Sequence, residues 1–171
     1  MIFLKDKLKL VKVILFLYIF LVILITQFPF KLKFTVSFME IKYNLMPFNY
    51  LFVRYKALQE VISSGYDVKN YLIPTLKMII ESFGYNIILF LPFGFLMPII
   101  YKQYFTFKKA VISSFFFSLC IEIVQLVIMS IATAPRVFDV DDVIANVIGG
   151  SLGYSLYFCI GKLKLLSQTS G

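Results

Sequence analysis

The chain has 171 residues, of which 60% are hydrophobic and only 15% are charged. An ordinary soluble domain is roughly 45–50% apolar and about 25% charged, so this composition excludes that class. The formal net charge is +8 and histidine is absent, which excludes histidine-based catalysis and histidine-bound metals.

Four long apolar runs dominate the chain. Residues 13–30, 82–101 and 143–161 carry no charge, and residues 110–135 carry a single one, Glu122. A helix of roughly 20 apolar residues crosses the ~30 Å hydrocarbon core of a bilayer, so each run is long enough to span it. The sequence therefore predicts an all-α integral membrane protein with transmembrane helices at 13–30, about 78–101, about 110–130 and about 143–161.

The first run follows a lysine-rich segment, residues 1–12, as a secretory signal would. Its apolar core is longer than the roughly 7–15 residues usual in a signal peptide. The residues at its carboxyl-terminal end, ITQFPFKL, also offer no small-x-small cleavage site. We therefore interpret residues 13–30 as a retained first helix.

The lysine and arginine distribution predicts the orientation in the membrane. Basic residues accumulate in short cytoplasmic segments, and nine of the seventeen lie in residues 1–12, 102–109 and 162–171. We therefore expect both termini in the cytoplasm and a long extracytoplasmic loop at 31–77. Because the basic excess flanks predicted membrane spans, we expect no nucleic-acid partner.

The long loop carries local patterns of its own. Residues 31–38, KLKFTVSF, alternate polar and apolar side chains as a strand does, although no partner strand is evident. Residues 44–52, NLMPFNYLF, are rich in the aromatic side chains that favour a membrane interface. We expect that segment to lie on or in the outer leaflet, and residues 53–64 to form a short surface helix.

Polar residues inside the apolar runs are the main candidates for function. Glu122 lies in the outer half of the third span, where burying a carboxylate costs a few kcal/mol and usually indicates function. Gln125 shares its helix face, and Asn86 lies in the outer half of the second span. The alternative is that Glu122 is protonated and serves only as a hydrogen-bonding link between helices.

The fourth span also carries polar residues, which lie with small residues along one face of the predicted helix. Polar and small residues recur there at spacings of three and four, so they share one face: Asp142, Asn146, Gly149, Gly150 and Gly153. The glycines predict close packing against the third span. In the second span, Pro92 and Gly94 can kink or thin the helix.

Charged residues just before the fourth span complete a predicted polar pocket open to the outer leaflet. They are Arg136, Asp139, Asp141 and Asp142. Simpler interpretations stay open, since Arg136 and Asp139 can form a salt bridge that fixes the loop and Asp142 can cap the helix. Cys120 and Cys159 lie inside apolar runs, which favours helix packing over a disulfide or a zinc site. We expect no metal and no cofactor.

Four segments of this sequence resemble the VanZ-like family. They are NLMPF at 44–48, NIILFLPFGFLMP at 86–98, EIVQ at 122–125 and RVFDVDDVIANVIGGSLGY at 136–154. The last is the most specific, because it combines an R-x-F-D-x-D-D-x-x-x-N run with a glycine-rich helix.

The resemblance implies a small multipass protein of the bacterial cell membrane, with the VanZ-like core at 78–171. The founding member is associated with low-level resistance to teicoplanin, a lipoglycopeptide that binds D-Ala-D-Ala termini of cell-wall precursors. The resemblance thus implies a phenotype and no mechanism. The family's polar positions fall, by the same resemblance, at Asn86, Glu122, Gln125, Arg136, Asp139, Asp141, Asp142 and Asn146.

Three functions fit these features best, and a scaffold role stays open beside them. The first is binding of an amphiphilic envelope ligand, either a lipoglycopeptide or a lipid-linked peptidoglycan precursor, among membrane lipids. The second is an intramembrane enzyme that modifies a lipid or cell-wall precursor headgroup, with Glu122 as the acid or base and Arg136 holding an anion. The third is a carrier with Glu122 as its titrating site, for which four spans are few. The oligomeric state stays open.

Overall fold

The structure is a computed structural model that describes residues 2–27, 43–102, 105–131 and 138–169. In chain order its elements are helix α1 (Ile2–Gln27), strand β1 (Tyr43–Asn44), helix α2 (Asn49–Ser63), helix α3 (Val68–Tyr101), helix α4 (Phe107–Ile131), strand β2 (Phe138–Asp139) and helix α5 (Val140–Thr169). Among these residues, α1, α3, α4 and α5 are long and apolar enough to cross a membrane. This agrees with the predicted all-α membrane class. The alternating segment 31–38 lies outside the described residues.

Helix α3 begins at Val68, earlier than residue 78, where the sequence analysis placed its start. The side chain of Asp67 caps it by accepting a hydrogen bond from the Lys69 backbone N–H at 3.0 Å. With 34 residues, α3 is roughly 50 Å long, which exceeds the ~40–45 Å of a whole bilayer. Its first turns carry the exposed ion pair of Lys77 and Glu81, whose Nζ and Oε1 atoms are 3.8 Å apart. Helix α3 is therefore longer than a span requires, and its amino-terminal part is continuous with the candidate span.

Helix α2 covers most of the segment predicted as a short surface helix. It has no buried residue, and residues 64–67 connect it to α3. The turn contains Gly65 at φ 72°, in the left-handed region that glycine enters without steric cost. Helix α2, the turn 64–67 and the first turns of α3, residues 68–81, together form a helical hairpin, named here the α2–α3 hairpin.

The apolar core joins α1, α3 and α4. It contains the buried side chains of Val22, Phe90, Phe93 and Ile121. The Phe117 ring lies against Phe90 and Phe93, with centroids 5.2 and 5.0 Å away, in the tilted geometry that aromatic pairs favour. In addition, the Tyr18 hydroxyl of α1 donates to the Leu89 carbonyl of α3, which fixes the first span against the second.

Helices α3 and α5 make the most extensive helix contact of the described chain. Their backbones approach so closely that a β-carbon added at any of three glycines would lie within 2.2 Å of a backbone oxygen of the other helix: Gly94 against Gly150, Gly149 against Ile87 and Gly153 against Leu91. Only glycine fits such contacts, and small residues permit them generally in membrane helices.

The predicted partner of the glycine face is therefore wrong for two of its three residues. Gly149 and Gly153 pack against the second span rather than the third. Gly150 alone also meets α4, where an added β-carbon would lie 1.9 Å from Ser114 Oγ. A spacing of four residues identifies a shared face of a helix, but it carries no information about which helix covers that face.

Candidate functional site

The segment before α2 returns to the start of α5. Strands β1 and β2 pair in parallel, with Tyr43 opposite Phe138 and Asn44 opposite Asp139. The pairing extends to side chains, since Asn44 Nδ2 donates to Asp139 Oδ1 at 3.1 Å. The two-residue strands thereby hold the loop between the first two spans against the entrance of the fourth.

Asp139 caps helix α5. Its Oδ1 atom accepts a hydrogen bond from the Asp141 backbone N–H at 2.9 Å, and Asp139 directly precedes Val140, the first residue of the helix. This is the position at which a short acidic side chain satisfies an unpaired N–H group. The alternative that Asp142 is the cap is therefore wrong. Asp141 and Asp142 lie in the first turn, where negative charge is favourable to the helix dipole.

Asp141 anchors the loop from the other side. Its Oδ1 atom accepts a hydrogen bond from the Phe48 backbone N–H at 2.8 Å, and its side chain is buried. Phe48 has φ 59° and stacks on Phe83 of α3, with ring centroids 6.2 Å apart. The turn that begins α2 is thus fixed by one carboxylate of α5 and one ring of α3.

Glu122 is buried at the bottom of the site. Only 2% of its surface is exposed, and its Oε2 atom accepts a hydrogen bond from the Asp139 backbone N–H at 3.3 Å. This contact joins the third span to the strand that precedes the fourth. Glu122 therefore lies directly beneath the acidic segment, as the sequence analysis expected.

Further polar side chains lie between α4 and α5, nearer the middle of the bundle. Asn146 Nδ2 donates to Ser118 Oγ at 2.8 Å, between α5 and α4. Two buried polar atoms here, Asn146 Oδ1 and Ser114 Oγ, have no hydrogen-bond partner among the described residues. Because unsatisfied buried polar atoms are costly, they show that this region of the interface is not an apolar packing surface.

Asn86 connects the second span to the same site. Its Nδ2 atom donates to Asp142 Oδ1 at 2.6 Å. Six of the predicted residues are therefore brought together across α3, α4, β2 and α5, and they are named here the polar cluster: Asn86, Glu122, Asp139, Asp141, Asp142 and Asn146.

Two predicted site residues are not placed in the polar cluster. Gln125 Nε2 donates to the Thr26 carbonyl of α1 at 3.1 Å, so its amide is directed to the end of the first span. Residues three apart on a helix differ by about 60° around its axis, which is enough to direct Gln125 and Glu122 to different neighbours. Arg136 lies outside the described residues.

Sequence reasoning missed two contributors. Asn44 lies within NLMPF, but nothing in that segment identifies it as a partner of Asp139. Ser118 precedes Glu122 by four residues, and Ser114 precedes Ser118 by four. That spacing places all three on one helix face, and it was the signal that could have extended the site inward.

The chemistry of the polar cluster is that of a hydrogen-bond acceptor. A carboxylate has about four lone-pair positions, so the half-buried Asp139 can accept donors beyond the two N–H groups that reach its Oδ1 atom. Amide, hydroxyl and amino groups of a ligand match such acceptors. Within the described residues no group of carboxylates or cysteines is arranged to hold a metal ion.

Comparison with known proteins gives one result. The sequence profile of the VanZ/LLP1 family matches residues 14–161. A search of curated proteins and a search of solved structures found no match. The family match spans most of the chain, including the last three candidate membrane spans, most of the first and every residue of the polar cluster, so the chain belongs to the VanZ/LLP1 family.

Proposed function

We propose that the polar cluster binds an amphiphilic ligand of the bacterial envelope from the outer leaflet. The ligand would be a lipoglycopeptide such as teicoplanin, with its acyl chain in the bilayer, or a lipid-linked peptidoglycan precursor. Binding of either would contribute to resistance against teicoplanin. The observation that carries the proposal is the convergence of acidic and amide side chains from three spans and β2 at one end of the bundle.

The chemistry of these ligands supports the proposal. Peptide and sugar portions are rich in N–H and O–H donors, which carboxylates accept. The surroundings suit the apolar portion, because Leu45, Met46 and Phe48, next to β1, are all exposed. A donor-rich headgroup at the carboxylates and a hydrocarbon chain along these side chains would satisfy both parts of one molecule.

The orientation is testable with engineered cysteines. The two native cysteines are free and exposed, so both are first replaced by serine. Cysteine at Ser64, in the exposed turn of the α2–α3 hairpin, is expected to react with an impermeant maleimide on intact cells. Cysteine at Lys108, at the opposite end of the bundle, is expected to react only after lysis. The reverse pattern would place the polar cluster in the cytoplasmic leaflet and contradict the proposal.

The binding role is testable with Glu122→Gln and Arg136→Lys. Glutamine can still accept from the Asp139 N–H, and a neutral side chain is cheaper to bury in a membrane, so folding should be retained. Lysine keeps the charge at position 136 but loses the planar fork of arginine. Each variant is expected to lose about tenfold in ligand affinity, as for one charged hydrogen bond.

The measurement is teicoplanin susceptibility, scored beside membrane abundance in a strain where the wild-type protein has an effect. Gln125→Met is the matched control, since Gln125 lies in the same helix but is bonded to α1. The proposal requires loss of resistance in the two site variants and its retention in the control. Full resistance in both variants at normal abundance would show that the polar cluster only holds the helices together and that Arg136 takes no part in binding.

A second candidate, an intramembrane enzyme, rests on the burial of Glu122 beside the Asp139 backbone. A desolvated carboxyl group is suited to proton transfer. Turnover of a lipid-linked precursor by the purified protein distinguishes the two functions. Catalysis requires that Glu122→Gln abolish turnover, whereas a binding protein shows no turnover in either form.

A further inference from the structure

Arg54 occupies a constrained position on the α2–α3 hairpin. Its Nε atom donates to Tyr50 Oη at 2.8 Å, within α2. From α3, the Tyr71 hydroxyl donates to the Arg54 carbonyl at 3.3 Å. The guanidinium carbon lies 5.0 Å from the centroid of the Tyr50 ring, within the range of a cation–π contact. Two tyrosines on two helices therefore hold both the backbone and the side chain of one arginine.

The charge of Arg54 is not neutralised within the described chain. Among the described residues, no carboxylate lies within ion-pair distance of Arg54. The tyrosine hydroxyls, that of Tyr71 first and that of Tyr50 second, raise the pKa of Arg54 above its usual value. A guanidinium has five N–H donors, and Nε uses one of them, so donors remain for an anion.

The hairpin also exposes apolar side chains. At least half of the surface of each of three side chains is exposed: 50% for Phe52 and 59% for Tyr55, both of α2, and 65% for Ile73 of α3. Helical surfaces that carry both exposed aromatic side chains and basic residues are typical of the level of lipid headgroups. The hairpin lies at the end of the bundle where the fourth span begins, because the Phe48 backbone N–H, just before α2, donates to Asp141 Oδ1.

We infer that Arg54, positioned by Tyr50 and Tyr71, binds the phosphate group of a membrane lipid at the bilayer surface. The planar fork of arginine matches two phosphate oxygens, and phosphate is the anion that a lipid surface presents next to its acyl chains. The exposed apolar side chains of the hairpin would then contact the upper part of those chains. This site is separate from the polar cluster and does not depend on the proposed function.

The test uses the full chain, delipidated in a neutral detergent, with short-chain phosphatidylglycerol as the probe and native mass spectrometry as the readout. Arg54→Gln is expected to weaken lipid binding about tenfold. Arg54→Lys should recover part of the affinity, because it restores charge without the fork. Lys56→Gln is the matched control. It removes one positive charge from the same helix, at a residue whose Nζ atom lies over the Phe52 ring at 4.5 Å, and it should bind within about twofold of wild type.

Two further arms separate the sources of phosphate. A diacylglycerol with the same acyl chains lacks phosphate and should not bind at this site. Inorganic phosphate in molar excess should leave lipid binding largely intact if the lipid is the ligand. Displacement of the lipid by inorganic phosphate, or equal lipid binding by Arg54→Gln and wild type, would overturn the assignment. Circular dichroism of each variant checks that the helices are retained.

Discussion

Replacing Gly94 with alanine is expected to prevent α3 and α5 from packing. The added β-carbon would lie 1.8 Å from the Gly150 carbonyl oxygen and 2.6 Å from its carbon, whereas an ordinary contact is ~3.5–4.0 Å. Both obstructing atoms are backbone, so no side-chain rotation relieves the clash and the helices must separate. We expect a loss of roughly 3 kcal/mol or more, the upper end for overpacking.

The measurement is thermal unfolding of the purified protein in a mild detergent, followed by size-exclusion chromatography. A loss of that size lowers the melting temperature on the order of 10 °C. Gly84→Ala is the matched control, because Gly84 lies in the same helix with nothing within 4 Å of an added β-carbon. It should melt at or slightly above wild type. Equal melting of the two variants would mean that the α3–α5 approach is not as close as described.

Replacing Asp139 with alanine is expected to release the loop from the start of α5. The substitution removes the helix cap on the Asp141 N–H and the acceptor of the Asn44 amide. A lost cap costs about 1 kcal/mol and a lost side-chain hydrogen bond about 1 kcal/mol. We therefore expect a total of about 2 kcal/mol, or roughly 4–8 °C in melting temperature.

Asp139→Asn separates this role from that of the charge. Asparagine keeps the Oδ1 acceptor for both donors, so it should melt close to wild type. An Asn44→Ala and Asp139→Ala double-mutant cycle then measures the coupling across the strand pair. If alanine and asparagine destabilise equally, the negative charge matters and the hydrogen bonds do not.

The sequence was sufficient for the spans and for most of the polar cluster. Uncharged runs near 20 residues have few alternatives to a membrane helix, and a single acid in such a run, Glu122, is conspicuous because its burial is costly. Asp142 and Asn146 followed from helical spacing. Each of these features depends on the composition or the periodicity of a single helix, which the sequence shows directly.

Features that depend on two elements were harder to predict. Gly149 and Gly153 proved to face the second span, because a periodic pattern does not name its partner. The pairing of Asn44 with Asp139 had no sequence signal, since strands of two residues are too short for alternation to appear. Gln125 was assigned to the face of Glu122, but an offset of about 60° directs it to Thr26 instead.

The parallel pairing of β1 with β2 has a consequence for the order in which the protein assembles. Asn44 and Asp139 are 95 positions apart in the chain, and α2, α3 and α4 are synthesised between them. During synthesis the earlier residues emerge first, so Tyr43 and Asn44 leave the ribosome long before their partners exist. The segment around β1 must therefore wait, without its strand, its Asp139 contact or its Asp141 contact, until the last helix enters the membrane. Pairing of β1 with β2 is therefore a late step of biogenesis. A chain that stops after α4 can insert three spans but cannot form this strand pair.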